Sequence, residues 1–372
     1  MTLNEYLQDK PLAYADFDPT RIVKVWENIK KHFSLPPVIR LVGTNGKGST
    51  GRFVAQYLHA QDISVGHYTS PHIHHLNERF WLNGKEIKES LLESAHKSLF
   101  SLLTLQALDT LSYFEYTTLL ALKLFNNCDY IVLETGLGGE YDATNIVTST
   151  LTLITPIDLD HQNFLGDNIK AIAHTKLHIN TKAIIVGYQH HPEVYDIAKK
   201  EAAHCHYNCT LLNDMYPQNH DLHYLEQNKV LALCALESLG FTLDISQIGT
   251  LSLFGRCSKI APNITIDVGH NPLAAKALLK SFDTPITLIY NTLEDKEYQY
   301  ILQILKPIIH HLLILEINKE VEPRIVDIKE LEITLASLNI PFSFYKNINP
   351  NENYLVFGSF KAVERFMLDY QR

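Results

Sequence analysis

The 372-residue chain has no apolar run approaching the ~20 residues that span a bilayer, which argues against a membrane-embedded protein. Its first ten residues include Glu5 and Asp9 and no apolar core segment, so they do not read as a secretion signal. Cysteine is scarce: Cys128, Cys205, Cys209, Cys234 and Cys257 form no C-x-x-C pair. An odd count without paired spacing fits reduced thiols and a cytoplasmic location, not a disulfide framework. His204 and His206 around Cys205, with Cys209 nearby, have the residue types of a metal site. Without a matching second pair they read as a solvent-side coincidence. Excess positive charge is also missing: a net charge of −9 lacks the basic surface that nucleic acid requires. Low-complexity tracts and internal repeats are absent.

What is present is an ordinary globular composition, 46% hydrophobic and 20% charged, on a chain long enough for two cores. Continuous apolar strands are expected at 38–42, 63–67, 130–134, 151–155 and 182–187, with helices near 49–60, 89–105, 115–126, 168–179 and 226–239. Runs that are apolar throughout imply a sheet covered on both faces, and so a mostly parallel α/β fold. Alternation around Asn83-Gly84 reads as a β-hairpin. The pattern restarts with strands at 264–268, 286–290, 312–317 and 354–357 and helices near 272–281, 297–305, 327–338 and 360–369. We therefore expect domains at 1–253 and 254–372, the second smaller, with a ligand crevice between them.

The most informative segment is Gly43-Thr44-Asn45-Gly46-Lys47-Gly48-Ser49-Thr50, between an apolar strand and a helical pattern. Glycines let backbone N–H groups crowd a polyphosphate, and the helix start and Lys47 add positive charge. Ser49 or Thr50 can reach Mg²⁺. The spacing departs from G-x-x-x-x-G-K-[ST], but ATP binding is the stronger reading over a glycine-rich cap.

Other strand ends carry polar groups. Thr69-Ser70-Pro71-His72 follows the second strand, where α/β folds bind ligands, although an ordinary Ser-Pro turn is the simpler reading of it alone. Glu134 ends a buried strand before Gly136-Leu137-Gly138-Gly139, as a Mg²⁺ ligand or a helix-capping acid; Asp142 follows. His161 ends another strand, either as a ligand or as a core histidine. Lys176 falls on the same face as Ile169, Ile172 and Ala173, where a charge is costly to bury. It must snorkel, pair or lose its charge, and snorkelling is the simplest outcome. Asp267 could take a ribose hydroxyl pair and His270 a phosphate or ribose; capping before Pro272 is the plainer role.

These segments together resemble the dihydrofolate synthase/folylpolyglutamate synthase family, a branch of the Mur-type ATP-dependent amide ligases. The match runs in order through G-T-N-G-K-G-S at 43–49, T-S-P-H at 69–72, E-x-G-L-G-G-x-x-D-A-T-N at 134–145 and L-D-H at 159–161. It continues through Lys176, G-R at 255–256, D-V-G-H-N-P at 267–272, D-K at 295–296 and G-S-F at 358–360. The resemblance implies a P-loop ATPase domain and a smaller Rossmann-like domain, with ATP between them. Lys47 and the loop amides would hold phosphates, and Asn228, Arg256, Asp267 and His270 would face the nucleotide. Ser70 and Glu134 would bind one Mg²⁺, and Glu134 with His161 a second. Pro71, Phe114 and Asp142 would lie near the pterin. Lys176 matches a lysine carbamylated by CO₂ to N6-carboxylysine. Lys47, Glu134, His161 and Lys176 would then be the catalytic set. The implied substrates are ATP, glutamate and dihydropteroate or folates, with a monomeric enzyme.

The chain departs from the family pattern at Glu140, where arginine is usual, at Phe254 and Cys257-Ser258 around Gly255-Arg256, and at His174, Thr175 and His178 around the lysine. A UDP-muramyl ligase shares the chemistry, but a phosphate loop starting at Gly43 leaves no room for a preceding UDP-binding domain. A P-loop NTPase switch would turn over without glutamate, and an inactive binding protein would not retain the four catalytic residues.

Overall fold

A computed structural model describes residues 1–10, 18–215, 222–244 and 247–370. These fall into two compact units, Met1–Leu251 and Ser252–Arg372.

The first unit is built on an eight-stranded sheet: β1 (Val38–Val42), β2 (Val65–Tyr68), β3 (Phe80–Leu82), β4 (Lys85–Glu86), β5 (Tyr130–Glu134), β6 (Leu151–Ile154), β7 (Ala183–Val186) and β8 (Asn208–Leu211). Their order is β4-β3-β2-β5-β1-β6-β7-β8, parallel except for the β2–β3–β4 edge. The apolar strands are covered on both faces. Val38, Ile131 and Leu133 enter one cluster with the helices Glu89–Phe100 and Tyr113–Leu124. Ile39, Leu41 and Val132 enter another with Lys47–Ala60 and Tyr224–Ser238. A third cluster joins Val42 and Ile154 to Ile169–Leu177 and Glu193–Cys205. β1 lies between β5 and β6, so its carboxyl end faces crossovers leaving on both sides, the usual ligand position in such sheets. The β3–β4 hairpin turns through Asn83 and Gly84, both with positive φ as a type I′ turn requires.

The second unit has β9 (Ser258–Ala261), β10 (Ile264–Ile266), β11 (Ile286–Tyr290), β12 (Ile309–Ile314), β13 (Phe342–Phe344) and β14 (Tyr354–Phe357) in the order β13-β12-β11-β14-β10-β9. Only β9 runs antiparallel to its neighbour. Its core gathers Leu288, Tyr290, Leu312, Leu355 and Phe357 with residues of the helices Pro272–Leu279, Tyr298–Leu305 and Ile328–Ser337.

The structure corrects the element reading in places. The helix expected at 89–105 is two, Glu89–Phe100 and Leu105–Thr110, because the Thr104 hydroxyl accepts from the Ala107 N–H and starts a new one. The strand expected at 312–317 is Ile309–Ile314, whose partly exposed first residues mask its apolar pattern. Helices Leu3–Gln8, Arg21–Ile29 and Glu193–Cys205 were not expected, although Ile22, Val25, Trp26 and Ile29 bury one face of the second at helical spacing. Strands β8, β9 and β13 carry too little apolar pattern to be read.

Candidate active site

The phosphate-type loop leaves β1 at Gly43 and enters the helix at Lys47. Two glycines are required by space as well as by backbone angle. A Cβ on Gly43 would lie 2.0 Å from Thr155 Oγ1, and one on Gly46, whose φ is +87°, would lie 2.5 Å from Asn228 Oδ1. The loop is pinned from the β6 side: Thr44 N–H donates to Pro156 O at 2.8 Å, and the Thr44 hydroxyl donates to Asp158 O at 3.0 Å. Gln189, buried, braces the same turn by accepting from Ile157 N–H and donating to Thr155 O. Lys47 Nζ donates to the Gly43 and Thr44 carbonyls, both at 3.2 Å.

Lys176 joins this group. It does not snorkel: its side chain is buried and Nζ donates to Gly43 O at 2.9 Å. Burial, followed by the positive charge of Lys47, lowers its pKa to about 7, against the pull of Asp160 and Asp142. The helix carrying it, Ile169–Leu177, is capped by Asn168, whose Oδ1 accepts from Ala171 N–H at 3.0 Å. Thus Lys47 and Lys176, 129 positions apart (176 − 47), converge on one carbonyl.

Glu134 ends β5, beside Leu41 of β1. Its buried carboxylate accepts from the Thr69 hydroxyl and, at 3.2 Å, from Ser70 N–H. Ser70 precedes the exposed Pro71 through a cis peptide bond. The glycine turn after Glu134 packs on the lysine helix: Glu140 N–H donates to Thr175 O at 2.9 Å, and a Cβ on Gly139 would lie 2.5 Å from Lys176 O. Across the turn, a Cβ on Gly136 would lie 2.6 Å from the Phe114 ring, which leans against Tyr68 at 5.9 Å between centroids.

Asp142 is buried, and its carboxylate accepts from Gly136, Leu137 and Thr144 N–H and from the Thr144 hydroxyl. Burial raises its pKa while those donors and Arg40 oppose the rise. In this structure it shapes the turn between Glu134 and Phe114. His161 sits in the left-handed region (φ 51°), with its N–H on Asp160 Oδ1 at 2.9 Å and its side chain partly exposed.

Two buried side-chain atoms near the loop lack a partner: Thr50 Oγ1 and Asn228 Nδ2. Buried polar atoms are normally paired, so these are positions at which a ligand's oxygens would be accommodated.

In the second unit Asp267, at the end of β10, accepts from Cys257 N–H at 2.8 Å and Gly269 N–H at 2.7 Å. The Arg256 guanidinium lies 5.2 Å from the Phe360 ring centre, and His270 lies 6.2 Å from the same ring. Arg256, Asp267 and His270 thus form one cluster around the start of Pro272–Leu279, which Asn271 caps.

Sequence reasoning missed Arg40. It is fully buried in the middle of β1 and donates to Asn145 Oδ1, Asn180 O, Thr144 O and Val147 O. A lone arginine inside the run Val38-Ile39-Arg40-Leu41-Val42 was the available signal. Gln189 carried no comparable signal, since its partner lies 34 positions away; Thr69 belongs to the T-S-P-H segment, but its bond to Glu134, 65 positions away, was not legible.

A glycine-rich loop at the carboxyl end of a parallel strand, backed by two convergent lysines and a buried strand-end acid, defines an enzyme of nucleotide phosphate chemistry. No family model matches the chain. A dihydrofolate synthase/folylpolyglutamate synthase of Haemophilus influenzae is 30% identical over 97% of this chain and 95% of its own length. The Escherichia coli enzyme of the same description is 34% identical over 73% of this chain and 70% of its own. A crystal structure of Helicobacter pylori folylpolyglutamate synthetase is 39% identical, with a TM-score of 0.78 over 99% of this chain and 98% of that one. Escherichia coli FolC in complex with DHPP and ADP is 27% identical, with a TM-score of 0.82 over 99% and 96%. The chain belongs to the dihydrofolate synthase/folylpolyglutamate synthase family, and its enzyme class is that of an ATP-dependent ligase.

Proposed function

We propose that the protein ligates L-glutamate to dihydropteroate and to tetrahydrofolate at the cost of ATP, giving dihydrofolate and folylpolyglutamates. The observation that carries this reading is the convergence of Lys47 and Lys176 on Gly43 O, within a loop whose glycines leave no room for side chains. A carboxylate is a poor electrophile. Transfer of the ATP γ-phosphoryl group to the pterin-side carboxylate forms a C–O–P acyl phosphate and releases ADP. The glutamate amine then attacks that carbonyl, loses a proton, and expels phosphate as the amide forms.

Each residue has a place in this scheme. The loop amides of Gly43 to Thr50 cradle the phosphates, and Lys47 turns from the loop carbonyls to the transferring group, where its charge offsets the charge that builds up. Asn228 offers its unpaired Nδ2 to the nucleotide, and Arg256, Asp267 and His270 are the further nucleotide contacts. Phe114 and Pro71 flank the pterin, while Asp142 holds the turn beneath it. Catalysis in this scheme is chiefly positioning and electrostatics.

The donor set fits Mg²⁺. Glu134 and the Ser70 hydroxyl are hard oxygen donors, His161, which lies in the loop beyond β6 and not at the strand end expected of it, adds a nitrogen, and the unpartnered Thr50 hydroxyl is a further oxygen. Ser70, Glu134 and His161 would hold two ions, which when bound supply charge neutralisation on the phosphates.

Lys176 is read as carbamylated. Its neutral amine attacks CO₂, an N–C bond forms and a proton leaves, turning a costly buried cation into a carboxylate-like group. A pKa of about 7 leaves much of the amine neutral at physiological pH, where an ordinary lysine is almost wholly charged. A cytoplasmic, monomeric enzyme completes the reading, and its five cysteines, none joined in a disulfide, suit a reducing compartment.

The test is phosphate release from ATP and Mg²⁺ with glutamate, comparing dihydropteroate, tetrahydrofolate and no pterin. Glutamate-dependent release with both pterins is expected. Release with one alone assigns a single activity. Release without pterin and indifferent to glutamate overturns the ligase reading in favour of an NTPase.

A further inference from the structure

The helices Ile169–Leu177 and Glu193–Cys205 pack together in the first unit and share a second cluster of ligand-type side chains. His174 and His178 are four positions apart on the first segment, and Glu201 and Cys205 are four apart on the second. Each pair therefore projects from one face. His174 Nδ1 lies 2.8 Å from Glu201 Oε1, and His178 Nδ1 lies 3.1 Å from Glu201 Oε2. Cys205 Sγ lies 3.6 Å from His178 Nδ1 and 3.8 Å from Glu201 Oε2. The ligand atoms of His178, Glu201 and Cys205 all fall within 4.8 Å of one another.

Tetrahedral zinc, with bonds of about 2.0 Å to nitrogen and oxygen and about 2.3 Å to sulfur, sets its ligand atoms roughly 3.3 to 3.5 Å apart. The three edges here, 3.1, 3.6 and 3.8 Å, approach that triangle without any movement of the helices. We propose that His178 Nδ1, Glu201 Oε2 and Cys205 Sγ form a binding site for a thiophilic divalent cation, Zn²⁺ by donor chemistry, with water as the fourth ligand. Imidazole, carboxylate and thiolate together suit zinc and not the hard, oxygen-seeking Mg²⁺. His174, on the other carboxylate oxygen, fixes the orientation of Glu201, as outer partners of ligating carboxylates do. The half-exposed His178 leaves a route for the ion. Cys205 thus draws its ligand partners not from its sequence neighbours His204 and His206 but from positions 178 and 201. The effect of the site is a clamp between the helix that bears Lys176 and its neighbour.

The experiment is a titration of the metal-free full-length protein with Co²⁺, followed by Zn²⁺. One equivalent of Co²⁺ is expected to produce a thiolate-to-cobalt charge-transfer band with intense tetrahedral d–d absorption, and Zn²⁺ to abolish both. Cys205→Ser should remove the charge-transfer band, Cys209→Ser should keep it, and His178→Ala should weaken Co²⁺ binding at least tenfold. Zn²⁺ should raise the thermal midpoint of the parent protein and leave that of Cys205→Ser unmoved. Absence of the band in the parent protein, or its persistence in Cys205→Ser, overturns the site. Circular dichroism on all three variants separates loss of the ligand from loss of the fold.

Discussion

Lys176 concentrates the physics of this protein at a single residue. In CO₂-free buffer, where Lys176 is a free amine, its folded pKa, lowered to about 7, lies well below the unfolded value of 10.5. Between those values the unfolded chain binds a proton that the folded chain does not, so stability rises with pH across that window. Below pH 7 both states are protonated and the buried charge exerts its full destabilising effect. Denaturant melts between pH 6.5 and 10 should therefore show a rising slope that Lys176→Met abolishes; an unchanged slope would assign it to another group. Lys176→Ala should lose most of the turnover, and ¹³C-labelled bicarbonate should give a carbamate signal in the parent protein that this variant lacks. Gly46→Ala places a side chain at φ +87° and 2.5 Å from Asn228 Oδ1. The strain of about 1–2 kcal/mol should appear chiefly as a raised KM for ATP, because the loop that moves is the one proposed to cradle its phosphates. Arg40→Met leaves the carbonyls of Thr144, Val147 and Asn180 without their donor. It should cost about 3 kcal/mol or more in urea unfolding. The motif residues 43–50, 134 and 176 were legible because their types are unusual for their positions. Partnerships such as Thr69 with Glu134 were not, since a hydrogen bond leaves no mark on sequence spacing.

At the scale of elements, the strands at the middle of each sheet were legible almost to the residue. β1 and β5 are apolar throughout because both faces are covered, and that pattern admits little else of their length. Edge elements were not. β8 (Asn-Cys-Thr-Leu) and β13 (Phe-Ser-Phe) owe their conformation to pairing with a neighbour. Caps decide where helices begin. Ser112 accepts from Glu115 N–H while Glu115 accepts from Ser112 N–H and pairs with Arg21 at 2.8 Å. Ser112→Ala should thus destabilise the helix that presents Phe114 by about 1 kcal/mol, read as a lowered urea midpoint with unchanged slope.

For the whole molecule, the described residues form two units, each with a core of its own. Calorimetric unfolding should accordingly exceed the van't Hoff enthalpy, since two cooperative units do not melt as one; equality of the two would show a single cooperative block. Hydrophobic periodicity and turn chemistry, which act over a few residues, let the sequence by itself determine the α/β class, the central strands, the glycine-rich loop after β1 and the lysine on an inward helix face. Tertiary structure alone decided that Lys176 reaches Gly43 O, that Asp142 gives its oxygens to the glycine turn, and that Cys205 meets His178 and Glu201. Those outcomes depend on distances between segments remote in the chain. Burial, pKa and ligand geometry are properties of such distances, and no local pattern encodes them.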